Sequence, residues 1–141
     1  MRVILGSDEK SALTDAVEAD LRERGHDVAL VGPPAGEQMG WTEVGQKVGR
    51  AVASGDADTG VLFCWTGTGA SIAANKVTGV RAALCGDAAT ADGARRWNDA
   101  NVLVMSLRLV TPTVASEMLD AWFAAEPDPS ESDNVRALEQ A

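Results

Sequence analysis

One short segment of the chain combines a nucleophilic side chain with a glycine-rich turn. Cys64 is followed by Trp65-Thr66-Gly67-Thr68-Gly69, and a helix-compatible run continues to Asn75. The first amides of a helix have no intrahelical partner, and the positive end of the helix favours an anion. A thiol beside such amides is stabilised as the thiolate and can act as a base or nucleophile. This segment predicts a site for a developing anion, the alternative being a tight turn beside a buried structural cysteine.

Further polar residues flank the other predicted strands. Asp8 and Glu9 follow the first strand, and Asp8 either caps the first helix or binds sugar hydroxyls. Asn98 precedes the last strand, in a segment that is either functional or a simple turn, and Trp97 either packs in the core or walls a ligand. Ligands of open parallel sheets bind outside the carboxyl ends of the strands, so we expect these residues to gather there.

The remaining histidine and cysteine are expected to be structural. His26 is the single histidine of the chain, and we place it in a helix-to-strand turn at the opposite end of the sheet. The only other thiol, Cys85, lies in an apolar strand, and both thiols are expected to be reduced. One histidine and two cysteines cannot supply a structural zinc site, so we expect no metal.

Short β-type runs alternate with longer helical patterns along the chain. This alternation is typical of βαβ units around a parallel sheet. Thr111-Pro112 is a typical helix start, with an N-cap followed by proline. The predicted strands are Val3 to Leu5, Val28 to Val31, Gly60 to Cys64, Ala82 to Cys85 and Val102 to Ser106. Five helices are predicted beside them, and the fold class is α/β with a five-stranded parallel sheet.

The 141 residues correspond to one domain, and their net charge is −9. An acidic surface repels nucleic acid and anionic lipid, so neither is expected as a partner. The apolar run at Val3 to Leu5 is too short for a signal-peptide core, which predicts a cytoplasmic protein. Five acidic residues and one arginine from Glu126 onward carry −4 of the charge. We therefore divide the chain into a domain over residues 1–125 and an acidic tail over 126–141, which is either mobile or helical and docked on a partner subunit.

Several motifs together resemble one enzyme family. They are Gly6-Ser7-Asp8, the block Cys64 to Val77, the run Gly79 to Cys85, and Asn98-Asp99-Ala100-Asn101-Val102-Leu103. In order and spacing these motifs resemble the ribose-5-phosphate isomerase B and galactose-6-phosphate isomerase family, and the resemblance runs from Met1 to about Ala125. It implies a Rossmann-like three-layer α/β/α sandwich and a homodimer or tetramer whose active sites form between two subunits.

The resemblance also implies a reaction and roles for individual residues. Family members interconvert an aldose phosphate and a ketose phosphate through an enediolate, without metal or organic cofactor. By position, Cys64 corresponds to the base that moves a proton between C1 and C2, and Thr66 to a residue that assists ring opening. The backbone from Thr66 through Gly67 and Thr68 to Gly69 corresponds to the loop that stabilises the enediolate oxygens. Asp8 and Asn98 correspond to contacts with substrate hydroxyls and the oxyanion.

The chain departs from the family pattern where the family grips phosphate. Glu9 replaces a histidine, and two family arginines fall at Ser130 and Asn134. Arg108 still matches a family arginine that can reach phosphate, and Lys10 is a possible substitute donor. Each lost hydrogen bond to a charged group is worth about 1.5 to 3 kcal/mol, so a standard pentose phosphate is expected to bind poorly.

Two tryptophans mark further departures. Trp97 stands where the family has the histidine expected to open the sugar ring, and Trp65 replaces a glycine of the catalytic loop. We therefore expect an isomerase with altered specificity, acting on an open-chain sugar phosphate such as a tetrulose phosphate or on a sugar derivative without phosphate. The alternatives are a non-catalytic or heteromeric subunit, and a sugar-binding protein of the same fold.

Overall fold

Strands and helices alternate over residues 2–124, as the sequence predicts, and a sixth helix follows in the tail. The computed structural model describes residues 1–141. The strands are β1 (Arg2–Ser7), β2 (Asp27–Val31), β3 (Thr59–Cys64), β4 (Ala82–Leu84) and β5 (Val102–Ser106). The helices are α1 (Ala12–Glu23), α2 (Trp41–Ser54), α3 (Thr68–Asn75), α4 (Ala88–Asn98), α5 (Pro112–Ala124) and α6 (Ser132–Glu139).

The five strands form one parallel sheet in the order β2-β1-β3-β5-β4. Strand side chains alternate between the two faces, and each face buries its own apolar cluster. A cluster of 19 buried residues joins one face to α1, α4 and α5, while a cluster of 11 joins the other to α2 and α3. The predicted α/β class and three-layer sandwich are confirmed.

The first residues of α1 and α5 show how these two helices are capped. Thr111 caps α5 and Pro112 is its first residue, as predicted. The cap of α1 is Ser11, whose hydroxyl accepts from the amide of Thr14 while the Thr14 hydroxyl accepts from the amide of Ser11. The capping alternative for Asp8 is therefore wrong, because this reciprocal pair already occupies the helix start.

Strand β4 lies at the edge of the sheet and is held by asparagine side chains. The Asn75 amide group donates to the carbonyl of Ala82 at 3.0 Å and accepts from its amide at 2.8 Å. Asn101 accepts from the amide of Arg81 and donates to the carbonyl of Gly79. These contacts satisfy backbone groups that a short edge strand leaves unpaired.

The acidic tail carries structure of its own. A 3-10 turn over Pro129–Glu131 leads into α6, and Glu139 of this helix forms an ion pair with Arg81 at the start of β4. Asn134, at one position where the family has an arginine, donates to Glu131. No helix of the chain is both long enough and apolar enough to cross a membrane.

Candidate active site

The loops after the three central strands meet at the carboxyl edge of the sheet. Because β1, β3 and β5 are neighbours, their registers place Ser7 beside Phe63 and Cys64 beside Ser106. Asp8, Cys64 and Arg108 therefore lie at one edge, on three adjacent strands or directly after them. The structure brings together these parts of the predicted site.

Cys64 is the last residue of β3 and is 5% exposed. Strand alternation directs Val61 and Phe63 to the larger core and Leu62 and Cys64 to the face that α2 and α3 cover. The thiol thus shares its face with α3, whose first turn begins four residues later. The Cys64 carbonyl accepts from the amide of Leu107 at 3.0 Å, which ties the strand end to the loop after β5.

The loop between Cys64 and α3 is shaped by Gly67. This residue has φ +81°, and a Cβ atom there would lie 2.5 Å from Leu84 Cδ1 and 3.3 Å from the Met105 carbonyl. The first bond of α3 runs from the Ser71 amide to the Gly67 carbonyl. The preceding amides at the helix start therefore have no intrahelical acceptor and can meet an oxyanion.

The threonine hydroxyls of this loop are paired. Thr66 Oγ1 lies 2.8 Å from Thr68 Oγ1, and both side chains are exposed. The carbonyl of Trp65 accepts from the Ser106 hydroxyl at 3.0 Å and from the Arg108 amide at 3.1 Å, while its indole is 56% exposed. The Trp65 backbone is thus anchored to the loop after β5, and its ring stands at the surface beside Cys64.

Asp8 carries a buried oxygen without a partner. Its Oδ1 atom makes no hydrogen bond, although the residue is only half-buried. Burial, together with the neighbouring charge of Glu9, raises the pKa of Asp8. An unsatisfied buried carboxylate oxygen costs stability, so its presence beside Cys64 favours a role in binding a hydroxyl donor.

Replacing Asp8 with asparagine is expected to stabilise the fold and to reduce activity about tenfold. A raised pKa means that the folded state binds a proton more tightly than the unfolded state, so ionisation of Asp8 costs stability as pH rises through its pKa. The melting temperature of Asp8→Asn should exceed that of the wild type at pH 7, and this gain should shrink as pH falls through the pKa of Asp8. Thermal melts between pH 3 and 7 measure it.

The control for this prediction is Asp56→Asn, which changes an exposed carboxylate after α2. A melting temperature of Asp8→Asn that stays below the wild-type value across the pH range would show that the carboxylate is a stabilising structural group. The loss of activity also has a direct physical source, since the amide offers one neutral acceptor oxygen to substrate hydroxyls where the carboxylate offers two charged ones.

The charged side chains at the carboxyl edge of the sheet differ in whether they already form an ion pair. Lys10 pairs with the carboxylate of Asp15 at 2.7 Å, which occupies the side chain considered as a substitute phosphate donor. Arg108 is exposed and makes no ion pair, so its guanidinium is free to meet an anion. Glu9 is exposed at the same edge, and its amide donates to the Ser7 hydroxyl.

Trp97 and Asn98 lie at the other edge of the sheet. They end α4 and precede β5, so they stand near its amino end, whereas Cys64 stands at the carboxyl end of the neighbouring strand. Strands of this length separate the two edges by roughly 16 Å, at about 3.3 Å per residue. A single chain does not bring these two residues to Cys64, because a residue before a parallel strand and a residue after it occupy opposite edges.

The cavities that Asn98 and Trp97 line also lie away from Cys64. Asn98 lines a cavity of about 520 Å³ between α6 and the segment leading into β4, which neither Cys64 nor Asp8 reaches. Trp97 is 55% exposed and borders a second cavity of about 350 Å³ against residues 127–136. These two cavities are thus separate from the thiol and the free amides.

Asp99 was missed from the sequence, and it fixes the position of Asn98. It is the one non-glycine residue with positive φ, at 46°. Arg81 Nε donates to its carbonyl at 2.7 Å, and Arg95 donates to its carboxylate at 3.0 Å. Asp and Asn tolerate this backbone conformation better than other residues, which is the signal that the Asn-Asp sequence offered.

His26 lies at the amino edge of the sheet, directly before β2, and Cys85 directly follows β4 but is buried on the sheet face opposite to Cys64. The His26 ring stacks on Phe123 with centroids 4.2 Å apart, and its Nδ1 lies 3.2 Å from the amino terminus. Burial lowers the pKa of His26, and burial raises the pKa of Cys85 to about 11. The chain contains no group of three or more His, Cys, Asp or Glu side chains arranged to hold a metal ion.

Comparison with known proteins connects this geometry to one family. The profile of the Ribose/Galactose Isomerase family matches residues 3–139. The chain is 40% identical over 114 residues to ribose-5-phosphate isomerase B of Escherichia coli K12, covering 81% of this chain and 76% of that protein. It is 33% identical over 135 residues to D-erythrulose-4-phosphate isomerase 2 of Mycolicibacterium smegmatis, covering 92% and 88%.

A solved structure agrees with these sequence matches. Ribose-5-phosphate isomerase B of Clostridium thermocellum superposes with a TM-score of 0.93 at 36% identity, covering 99% of this chain and 96% of that one. The resemblance that the motifs indicated is therefore confirmed along almost the full chain. The chain belongs to the ribose/galactose isomerase family.

Proposed function

We propose that the chain converts an open-chain sugar phosphate between its ketose and aldose forms with Cys64 as the base. Membership of the family makes the chain an aldose–ketose isomerase. The observation that carries the role of Cys64 is its position: the thiol ends β3 on the sheet face that α3 covers, next to helix-start amides without intrahelical acceptors. A base and an oxyanion site are the two parts that an enediolate mechanism requires.

The proposed reaction moves one proton between two carbons. The Cys64 thiolate removes a proton from C1 of the ketose, and the electron pair of that C–H bond forms the C1–C2 double bond of an enediolate. The negative charge that develops on the C2 oxygen is stabilised by the free amides of the loop from Thr66 to Gly69. The C1 hydroxyl proton moves to the C2 oxygen, which becomes a hydroxyl, and the thiol returns its proton to C2 as the electron pair left on the C1 oxygen forms the aldehyde carbonyl. Asp8, with its unpartnered oxygen, accepts hydrogen bonds from these hydroxyls.

The substrate that we propose is a four-carbon sugar phosphorylated at C4. The indole N–H of Trp97 can donate a hydrogen bond but is not acidic enough to transfer a proton to a ring oxygen, so the chain lacks the residue expected to open a ring. A tetrose phosphorylated at C4 has no free C4 hydroxyl and cannot close a furanose ring, so it needs no ring opening. The Mycolicibacterium smegmatis relative is named for a substrate of this kind. Arg108 is the exposed cation at the carboxyl edge that can meet the phosphate.

Deuterium exchange tests both the reaction and the substrate class. The protein is incubated in D2O with erythrulose 4-phosphate, unphosphorylated erythrulose or ribose 5-phosphate, and NMR follows deuterium at C1 of each ketose and at C2 of each aldose. We expect rapid exchange with erythrulose 4-phosphate and slow exchange with the other two. Faster exchange with ribose 5-phosphate would overturn the proposed substrate, and no exchange with any sugar would favour a non-catalytic or purely binding role.

We also propose that the working form is a homodimer whose sites combine opposite edges of two copies. Asn98 lies roughly 16 Å from the thiol edge of its own chain, yet a two-fold axis can bring it to the thiol of a second copy. The same axis repeats the contact, so each dimer contains two sites. The acidic tail, with α6 beside the cavity that Asn98 lines, is the segment that we expect to dock on the partner. We place this enzyme in the cytoplasm, where its two free thiols stay reduced.

Mixing two defective variants tests the shared site. Cys64→Ala and Asn98→Ala are each expected to be impaired as homodimers, because every site lacks one residue. In a mixed dimer one site loses both residues and the other keeps both. Random pairing therefore restores about one quarter of wild-type activity. The assay compares coexpressed variants with the separately purified proteins, and activity equal to their average would contradict a site built from two chains.

A further inference from the structure

Helix α2 presents one stripe of residues along the whole length of α3. Trp41, Gly45 and Gly49 follow each other at four-residue spacing, so they lie on the same face of α2. A Cβ atom at Gly45 would lie 2.9 Å from the Ala70 carbonyl oxygen, and one at Gly49 would lie 3.3 Å from the Ala74 carbonyl oxygen. The two glycines therefore let the α2 backbone approach the backbone of α3.

Trp41 continues this stripe to the beginning of α3. A Cβ atom at Gly69 would lie 2.9 Å from Cε3 and 3.0 Å from Cδ2 of the Trp41 indole. The ring thus lies against the backbone of Gly69, within the first turn whose amides have no intrahelical acceptor. The rest of the indole remains accessible, since the side chain is 47% exposed.

We propose that Trp41 is a positioning residue for the oxyanion loop, acting through Gly69. This inference rests on the proposed function, because it concerns the amides that would meet the enediolate. Helix α3 has only eight residues, and its first turn has no side-chain cap. The indole restrains that turn on the side that faces α2. It thereby holds the Gly69 amide in the orientation that the Gly67 backbone and the anchored Trp65 carbonyl give it. Sequence inspection alone missed this residue, since its partner lies 28 positions further along the chain.

The first test separates positioning from general packing. Trp41→Ala is expected to lower kcat about tenfold while KM changes less than about threefold, because a misplacement of 1 Å at a catalytic group costs about 100-fold and a smaller shift costs less. Trp41→Phe should recover most of kcat, since a phenyl ring still covers Gly69. The matched control is Phe123→Ala, which removes a partly buried aromatic ring at the opposite edge of the sheet. It should lower the melting temperature and leave kcat of the folded protein unchanged.

A double-mutant cycle tests the contact itself. Gly69→Ala places a methyl group against the indole and should lower both kcat and the melting temperature. In Trp41→Ala/Gly69→Ala the methyl group occupies the space that the indole leaves, so the double variant should exceed the kcat and melting temperature of Gly69→Ala alone. Additive losses in both quantities would overturn the proposed contact.

The two proposals fail in different ways. A wild-type protein that exchanges no deuterium on any of the three sugars overturns the proposed function. A wild-type protein that is active, together with a Trp41→Ala variant of unchanged kcat, overturns only the role of Trp41. The melting temperatures of the cycle report on the contact between Trp41 and Gly69 independently of turnover.

Discussion

Cys64→Ala is expected to lower kcat for isomerisation about 10³-fold while the fold persists. General base catalysis contributes about 10²- to 10⁴-fold, and Cys64 ends β3 on the sheet face that α3 covers. The loss should be the same in both directions of the reaction, because one group removes and returns the proton. Deuterium incorporation at C1 of the ketose and at C2 of the aldose, followed by NMR in D2O, measures the proton transfer without a coupled assay.

The second thiol of the chain provides the control for this experiment. Cys85 is buried in the larger core, on the other face of the sheet. Cys85→Ala should cost stability, because it leaves a small cavity in that core, and should retain the kcat of the folded protein. Activity of Cys64→Ala within tenfold of the wild type would remove this thiol from the mechanism and leave it a structural role.

Gly67→Ala is expected to destabilise the protein by about 2 kcal/mol and to reduce kcat about 100-fold. A residue with a Cβ atom at φ +81° costs about 1 to 2 kcal/mol, and this Cβ would also meet Leu84 and the Met105 backbone. The Leu84 side chain can move aside, whereas the Met105 backbone can move little, so we expect relief of the second contact to shift the loop whose amides face the oxyanion. Loss of one such donor costs about 10²- to 10³-fold. Chemical denaturation and exchange kinetics measure the two effects separately.

Gly36→Ala isolates the backbone contribution to that prediction. Gly36 has nearly the same φ, +82°, and a Cβ atom there meets nothing within 4 Å. Gly36→Ala should therefore lower the free energy of unfolding by about 1 kcal/mol and leave kcat unchanged. If Gly67→Ala loses only as much as Gly36→Ala and keeps its kcat, the loop conformation is not what positions the reacting oxygen.

The regular elements were predictable because their signals are local. The strands and helices alternate with the periods that the sequence shows, and Thr111-Pro112 marked the start of α5 correctly. The carboxyl-edge position of Cys64 and of the following glycines was predictable for the same reason. In an open parallel sheet, the helix that follows a strand begins near the carboxyl end of that strand, so the first amides of the helix lie there.

Features that depend on which residues meet in the folded chain were harder to predict from the sequence. Asp8 was expected either to cap α1 or to bind hydroxyls, and the reciprocal bonds of Ser11 and Thr14 exclude the cap. Asn98 was grouped with Cys64, although a residue that precedes a parallel strand lies at the amino edge. The contact between Trp41 and Gly69 joins two helices that are separate in sequence. Neither local sequence indicates that the Trp41 ring lies on the first turn of α3.

The placement of Cys64 and Asn98 at opposite edges of one chain has a consequence for how activity depends on protein concentration. If both residues act on one substrate molecule, an isolated chain holds no complete site, however well it folds. Specific activity should then fall on dilution below the dissociation constant of the dimer, and recover on reconcentration. Newly made chains would stay inactive until they met, so the rate at which activity accumulates would follow the square of the chain concentration.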